Sequence, residues 1–142
     1  MKKDSKRTLI SKDLLDVITI IGDVSNIIQM RDVIKFGENE SFKDHLYKDL
    51  SQLIDSLSKA TLFYNINYVY TEDADNQMDI NIILNRLMYH ATRLLSAIRE
   101  KEQNSKKLNK IINSIVFYIK MICLVYDIDS NKIIKNFEDY KL

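Results

Sequence analysis

Chemistry in a helical protein commonly depends on carboxylates that project inward three or four residues apart, where two side chains can share a metal ion. Asp23 and Asp49 are the acids nearest the apolar stripes of the first two predicted helices. Three residues after each lies an amide, Asn26 or Gln52, rather than a second carboxylate. Mg²⁺ prefers charged oxygen ligands, so this set is a poor site for it. We therefore expect no metal ligand and no catalytic residue here, and interpret the four side chains as surface or hydrogen-bonding positions.

The histidines offer one further arrangement. Arg86 and His90 are four residues apart and share one face of a predicted helix. The pair resembles the R-x(4–6)-H motif of HEPN ribonucleases, in which a dimer brings two Arg–His pairs together to cleave RNA, but its spacing is one residue shorter. The alternative is an ordinary histidine at the edge of a helix surface. We expect no acidic or cysteine partner for His45 at metal-ligand spacing, and we place Cys123 in the core.

The composition limits the classes of protein to which the chain can belong. Its 142 residues are 46% hydrophobic, enough for one domain with a core. The lack of proline and the presence of only two glycines exclude collagen, most all-β folds and glycine-rich phosphate loops. One cysteine excludes a disulfide framework, and a net charge of +1 argues against bulk nucleic-acid binding. No apolar run approaches 18 residues, so we expect no membrane span.

Apolar residues recur at helical spacing along four long segments and one short segment. We expect helices over about 11–36, 42–65, 79–103, 106–126 and 131–140. The residues expected to cap or end them are Ser11, Gly37, Ser41 in a capping box with Asp44, Asn104 or Ser105, and Ser130. The sequence therefore predicts an all-α fold, an antiparallel bundle of four long helices plus a short C-terminal helix, in a single domain over 1–142.

Within that domain the chain divides into two similar halves. We expect a basic, frayed segment at 1–10, a first hairpin at 12–67, a loop at 68–78, and a second hairpin with a tail helix at 79–142. The sequence LFYNIN at 62–67 matches LVYDID at 124–129, and five apolar positions of the second helix align with five of the fourth without a gap. Two duplicated hairpins are one interpretation. Shared helical periodicity is the other.

The apolar positions also predict the core and an interface. Ile112, Ile115, Ile119 and Ile122 recur on the most apolar helix, so we expect them to be buried. Leu14 and Leu15 belong to the apolar stripe of the first helix. Other apolar residues fall outside a single stripe, namely Ile20, Ile27, Val33, Phe63, Ile83 and Leu95. A four-helix bundle has room inside for about three residues in seven, so this surplus predicts a homodimer, with a pseudo-dimeric monomer as the alternative.

The second hairpin resembles the all-α NTP pyrophosphatase (MazG-like) superfamily. The residues that carry the resemblance are YDID (126–129), at the place of the family's L-G-I-D motif, and the lysine-rich tail SNKIIKNFEDYK. The family binds Mg²⁺ and substrate phosphates through an E-x-x-E and an E-x-x-D motif. Here those places fall on His90 with Arg93 and on Ile111 with Ser114, and in the first hairpin on Asp23 with Asn26 and Asp49 with Gln52. The resemblance implies a degenerate relative, with Mg²⁺ as a cofactor only if nucleotide hydrolysis persists.

These observations favour a non-catalytic helical protein-interaction module. The many Ile, Lys and Asn residues are typical of AT-rich coding, as in low-GC bacteria, their phages or large DNA viruses. A viral or phage factor that binds a host protein is one version of this function, and we expect a cytoplasmic location. The alternatives are a MazG-like nucleotide-binding protein or pyrophosphohydrolase, and a HEPN-like ribonuclease or toxin–antitoxin component. Nucleic acid is not expected as a partner of the leading function.

Overall fold

The fold is known from a computed structural model, which describes residues 2–31, 41–63, 78–100 and 105–139. These residues form five helices: α1 (Lys2–Gln29), α2 (Phe42–Phe63), α3 (Ile80–Ile98), α4 (Ser105–Val125) and α5 (Ser130–Asp139). No strand occurs in the described ranges. The predicted all-α fold of four long helices and a short C-terminal helix is confirmed.

The four long helices pack as two hairpins, α1 with α2 and α3 with α4. The hairpins join where α1 packs on α3, while α5 packs on α2 and α4. The end of α1 meets the start of α2 and the end of α4, because the Arg31 guanidinium lies 4.5 Å from the Phe42 ring centroid and 6.0 Å from that of Tyr126. Helices α1 and α3 are therefore antiparallel, and Phe63 and Ile80 lie at opposite ends of the bundle.

The core runs along the inside of all four long helices and reaches α5 through Ile133 and Ile134. Helix α4 is the most completely enclosed, which agrees with its apolar residues on nearly every face. Its predicted core positions Ile112, Ile115, Ile119 and Ile122 are all buried, with exposed fractions of 0–1%. This outcome confirms the face of α4 that the sequence placed inside.

The boundaries of α1 differ from the prediction at both ends. The helix begins at Lys2, so Ser11 lies inside it rather than at its N-cap. Lysine, arginine and leucine favour helix, and residues 2–11 contain no glycine or proline that would stop it. The helix ends at Gln29, well before residue 36, and two residues later the Arg31 guanidinium lies over the Phe42 ring at the start of α2. Gly37 lies outside the described residues.

The start of α2 matches the predicted capping box. The Ser41 hydroxyl accepts a hydrogen bond from the Asp44 amide at 3.1 Å, and the Asp44 carboxylate accepts one from the Ser41 amide at 3.4 Å. Each of these side chains satisfies one backbone donor that the first turn leaves without a partner. The helix begins at Phe42, as predicted.

The turn between α4 and α5 uses two aspartates. Asp127 has φ 55°, and the Ile128 and Asp127 amides donate to the Cys123 and Leu124 carbonyls, at 2.8 and 3.4 Å, as in a Schellman motif. The predicted cap Ser130 is wrong: it is the first residue of α5, and the Asp129 carboxylate instead accepts a hydrogen bond from the Asn131 amide at 3.1 Å. Aspartate is as good an N-cap as serine, so either residue was chemically possible.

The third helix is also shorter than predicted, since it ends at Ile98 rather than near residue 103. The Arg99 and Glu100 amides donate to the carbonyls three residues earlier, Ser96 and Ala97, which tightens the last turn. The fourth helix begins at Ser105, so Ser105 is its first residue rather than its N-cap, and the alternative cap Asn104 lies outside the described residues.

Helix α4 is also long and apolar enough, by length and composition alone, to cross a membrane. Fifty-six per cent of the relevant window, within Lys106–Val125, is buried against the other helices. The core helix of a bundle meets the same criterion, so the absence of a membrane span stays a prediction.

The proposed repeat is compatible with the fold but is not tested by it. The aligned apolar positions of α2 and α4 are all buried: Leu46, Leu50, Leu53, Ile54 and Leu57, with Leu108, Ile112, Ile115, Val116 and Ile119. Any two amphipathic helices in a bundle would bury such positions. The YNIN copy at 64–67 and most of the predicted loop at 68–78 lie outside the described residues.

Candidate functional site

The four residues of the possible vestigial metal or nucleotide site lie on the neighbouring helices α1 and α2 and differ in burial. Asp49 is buried, with an exposed fraction of 7%, whereas Asp23, Asn26 and Gln52 are exposed on α1 and α2. Within the described ranges, no three His, Cys, Asp or Glu side chains form a group that could hold a metal ion.

Asp49 has a partner that the sequence analysis missed. Its carboxylate lies 3.7 Å from Nε2 of His45, one turn earlier on α2. The expectation that His45 has no acidic partner is therefore wrong, and the i, i+4 spacing of the two residues was the available signal. The pair is part of α2 rather than a bridge between helices. We assign it a structural role, because it gives a buried carboxylate a polar neighbour.

A second polar cluster lies between α3 and α4. Tyr118 of α4 accepts a hydrogen bond from Nη1 of Arg86 at 3.4 Å, and its ring stacks on His90 with 5.6 Å between centroids. The structure thus brings the predicted pair Arg86 and His90 together on one phenol. Sequence reasoning could not supply Tyr118, because it lies on the next helix and only the packing of the hairpin makes it a neighbour.

The electrostatic setting of His90 favours its neutral form. Burial lowers the pKa of its imidazole, and the positive charges of Arg93 and Arg86 lower it further. Its Nδ1 is buried and has no hydrogen-bond partner among the described residues. At neutral pH the ring is therefore an uncharged aromatic surface between Tyr89 and Tyr118, whose centroids lie 5.2 and 5.6 Å away.

The places of the MazG-like acidic motifs lie along this same α3–α4 contact. Ile111 is fully buried, and the Ser114 hydroxyl donates to the Lys110 carbonyl at 3.0 Å. On α3 the places hold His90 and Arg93. None of the four is a carboxylate, so the places that the resemblance assigns to acids hold an imidazole, a guanidinium, an aliphatic side chain and a hydroxyl.

Exposed apolar side chains are most frequent on α3, which packs beside α1. Seven large apolar residues are exposed in the described ranges, and four of them belong to these two helices: Leu15 at 45%, Ile82 at 44%, Met88 at 39% and Tyr89 at 60%. The Arg93 guanidinium lies 5.8 Å from the Tyr89 ring centroid and extends this surface. We call these five residues the α1–α3 face.

This distribution corrects two sequence expectations. Leu15 was expected in the core stripe but is exposed, whereas Ile27 and Ile83 were expected outside the stripes but are buried. Ile20 and Leu95 are partly buried, and the side chains of Leu14, Val33 and Phe63 lie outside the described residues. The apolar surplus is therefore smaller than predicted, and it lies on different residues.

The remaining candidates behave as ordinary structural residues. Cys123 is buried, and burial raises the pKa of its thiol to about 12, so it stays protonated and unreactive in the core, as predicted. Lys107, in the first turn of α4, forms an ion pair with Glu100 just after the end of α3.

Comparison of the chain with protein-family models, curated proteins and solved structures finds no match, so its similarity to the MazG-like superfamily stays a prediction.

Proposed function

We propose that this protein is a helical protein-interaction module that binds its partner through the α1–α3 face. The observation that carries the proposal is the frequency of exposed apolar side chains on α3, led by Tyr89 at 60% and Ile82 at 44%. Such residues are costly to leave in water, and contiguous apolar patches on soluble proteins commonly mark binding sites.

The residue types on this face suit protein recognition. Tyrosine, methionine and arginine are enriched in protein interfaces and at their energetic centres. Tyr89 and Arg93 are already in contact, so their geometry is partly fixed before a partner arrives. A restrained aromatic ring loses little conformational freedom on binding, which favours affinity.

Site-specific photo-crosslinking in cells that express the full chain tests the proposal. A photoreactive phenylalanine analogue replaces Tyr89 in one variant and Tyr47 in the other. Tyr47 is the matched control, because it is also an exposed tyrosine, at 39%, but lies on α2. We expect a discrete protein adduct from position 89 and none from position 47. Adducts of equal yield at both positions, or none at position 89, would contradict the proposal.

A MazG-like nucleotide-binding protein is the second candidate. One observation favours it: Asp127, at the glycine place of L-G-I-D, adopts the left-handed conformation that glycine prefers. The missing carboxylates argue for binding without hydrolysis. A dNTP with Mg²⁺ at a hundred times its dissociation constant should raise the free energy of unfolding by about 2.7 kcal/mol. We expect no pyrophosphate release above a blank. Release that Asp49→Ala abolishes would instead promote this candidate to an enzyme.

RNA cleavage by Arg86 and His90 is supported only by their shared contact with Tyr118. Incubation of the full chain with a labelled RNA tests it, with His90→Ala as the control for contaminating nuclease. We expect no cleavage that depends on His90.

A further inference from the structure

A pair of acidic residues on α1 and a pair of arginines on α3 have the same spacing along their helices. Asp16 and Asp23 lie seven residues apart on α1, and Arg86 and Arg93 lie seven residues apart on α3. Seven residues are two turns of helix, so each pair spans about 10.5 Å. No ion pair joins any of these four side chains to another described residue. Within the described residues, the only polar or ring contacts of these side chains are those of Arg86 with Tyr118 and of Arg93 with Tyr89, neither of which neutralises a charge.

The two pairs also lie at matching heights along the bundle. Arg31, at the end of α1, reaches Tyr126, at the end of α4, while Arg86 of α3 reaches Tyr118 of α4. With 1.5 Å per residue on antiparallel helices, Asp16 lies at about the level of Arg93 and Asp23 at about the level of Arg86.

The pairs lie on opposite edges of the surface that α1 and α3 share. Arg86 leans toward α4, because it bonds to Tyr118, so the arginine pair occupies the α4 edge. The contact between Arg86 and Tyr118 therefore fixes on which side of α3 each neighbouring helix lies. Because successive residues of a helix are about 100° apart, Asp16 and Asp23 then lie at the α2 edge of α1. Exposed Leu15, Met88 and Tyr89 lie between the two edges.

We infer that a second copy of this chain docks on the α1–α3 face about a two-fold axis parallel to the helices. Each α1 then lies antiparallel on α3 of the other copy, with Asp16 facing Arg93 and Asp23 facing Arg86 of that copy. The inference rests on the proposed protein-interaction function and names its partner. A two-fold contact must be complementary to itself, and a surface with acids on one edge and arginines on the other meets that condition.

A partner of one charge sign fits this surface less well. A nucleic acid or an acidic peptide would be attracted by the arginine edge and repelled by Asp16 and Asp23. It would also leave aliphatic Met88 and Ile82 without apolar contacts. The charge pattern therefore favours a second copy over a purely anionic ligand.

Gly22 supplies an independent observation on the same helix. It lies in the interior of α1, where glycine destabilises a helix by about 1 kcal/mol relative to alanine. Inside the monomer nothing requires it, because a Cβ added at Gly22 would meet no atom within 4 Å. In the docked pair Gly22 lies near the middle of the face, where the missing side chain lets the helices of the two copies approach closely.

Light scattering on a size-exclusion column tests the inference with charge-reversal variants of the full chain. We expect the unmodified protein to have twice its chain mass of 16.7 kDa at micromolar concentration. The double variants Arg86→Glu/Arg93→Glu and Asp16→Lys/Asp23→Lys place like charges opposite each other, which should raise the dissociation constant about a hundredfold or more. Lys43→Glu/Lys48→Glu on the exposed side of α2 is the matched control and should stay dimeric.

Mixing the arginine double variant with the aspartate double variant is the most specific test of the inference. In the mixed pair each lysine faces a glutamate and each remaining aspartate an arginine, so dimers should return only on mixing. Monomers before and after mixing would overturn the inference, as would dimers in every sample. Circular dichroism establishes that each variant is folded.

Gly22→Leu gives a test that does not depend on charge. It should raise the thermal midpoint of the monomer, because leucine favours helix, and at the same time shift the protein toward monomer. A dimer unchanged by Gly22→Leu would contradict the close approach of the two copies. If the protein is monomeric but position 89 still crosslinks to another protein, the inferred partner is wrong while the proposed function stands.

Discussion

At the scale of the residue, the contacts of polar side chains in this bundle depend on the neighbouring helices as well as on spacing within one helix. His45 and Asp49 could have been paired from their i, i+4 positions. Tyr118, which contacts both Arg86 and His90, could not, since its place depends on how α3 and α4 pack. Spacing within one helix is readable from sequence, whereas contacts between helices need the register of the bundle.

The pKa of His90 gives a prediction for stability against pH. Burial and the two arginines lower this pKa in the folded state, so the unfolded chain binds the proton more tightly. The contribution of His90 to stability is therefore complete above its ordinary pKa of about 6.5 and declines as the pH falls below that value. We expect the difference in thermal midpoint between pH 7.5 and pH 5.5 to be smaller in His90→Gln than in the unmodified protein.

His45→Gln is the matched control, since it removes the other histidine. Comparing the change in thermal midpoint between pH 7.5 and pH 5.5 in the two variants shows which histidine causes the pH dependence. An unchanged pH dependence in His90→Gln would show that neither burial nor the two arginines disfavours the imidazolium in the folded state.

At the scale of the element, periodicity predicted the helices and local chemistry predicted some of their ends. The capping box at Ser41 is confirmed because its two hydrogen bonds form within four consecutive residues. The end of α1 was missed because the apolar pattern of the sequence continues beyond Gln29, whereas in the fold Arg31 already contacts Phe42 of the next helix. Helix ends set by tertiary contacts are not visible in a local pattern.

Ser41→Ala should lower the free energy of unfolding by about 1 kcal/mol, because it removes the hydroxyl that accepts a hydrogen bond from the Asp44 amide. Ser51→Ala is the control: its hydroxyl bonds to the Tyr47 carbonyl in mid-helix, where alanine is the better helix former. Urea unfolding measures both variants. Equal effects of the two substitutions would mean that the capping box adds nothing.

A substitution in the turn after α4 should raise the free energy of unfolding rather than lower it. Asp127 holds a positive φ, which costs free energy for any residue with a Cβ and none for glycine. Asp127→Gly should therefore raise the free energy of unfolding by about 0.5 kcal/mol, after the greater freedom of glycine in the unfolded chain is subtracted. Asp127→Ala should lower it, since alanine keeps the Cβ and tolerates the left-handed region less well than aspartate does. Stability changes in the reverse order would contradict the left-handed geometry at this turn.

At the scale of the whole molecule, composition predicted a single all-α core but not which apolar residues remain outside it. The stripe of α4 was read correctly because nearly every face of that helix is apolar. Leu15 and Ile27 were placed on the wrong sides, since α1 is amphipathic only in part and the position of α3 decides which of its faces is covered. The choice between core and interface therefore depends on the order of helices around the bundle.

Substitutions at two isoleucines test which residues belong to the core and which to the outer surface. Ile115 is fully buried on α4, so Ile115→Asp places an unpaired carboxylate in the core and should unfold the protein, at a cost of several kcal/mol. Ile82 is 44% exposed on α3, so Ile82→Asp should leave the chain folded with a nearly unchanged circular dichroism spectrum. The same substitution should weaken binding at the α1–α3 face, because a hydrated carboxylate replaces an apolar contact. A soluble, folded Ile115→Asp variant, or an unfolded Ile82→Asp variant, would mean that the inner and outer sides of the α3–α4 hairpin are exchanged.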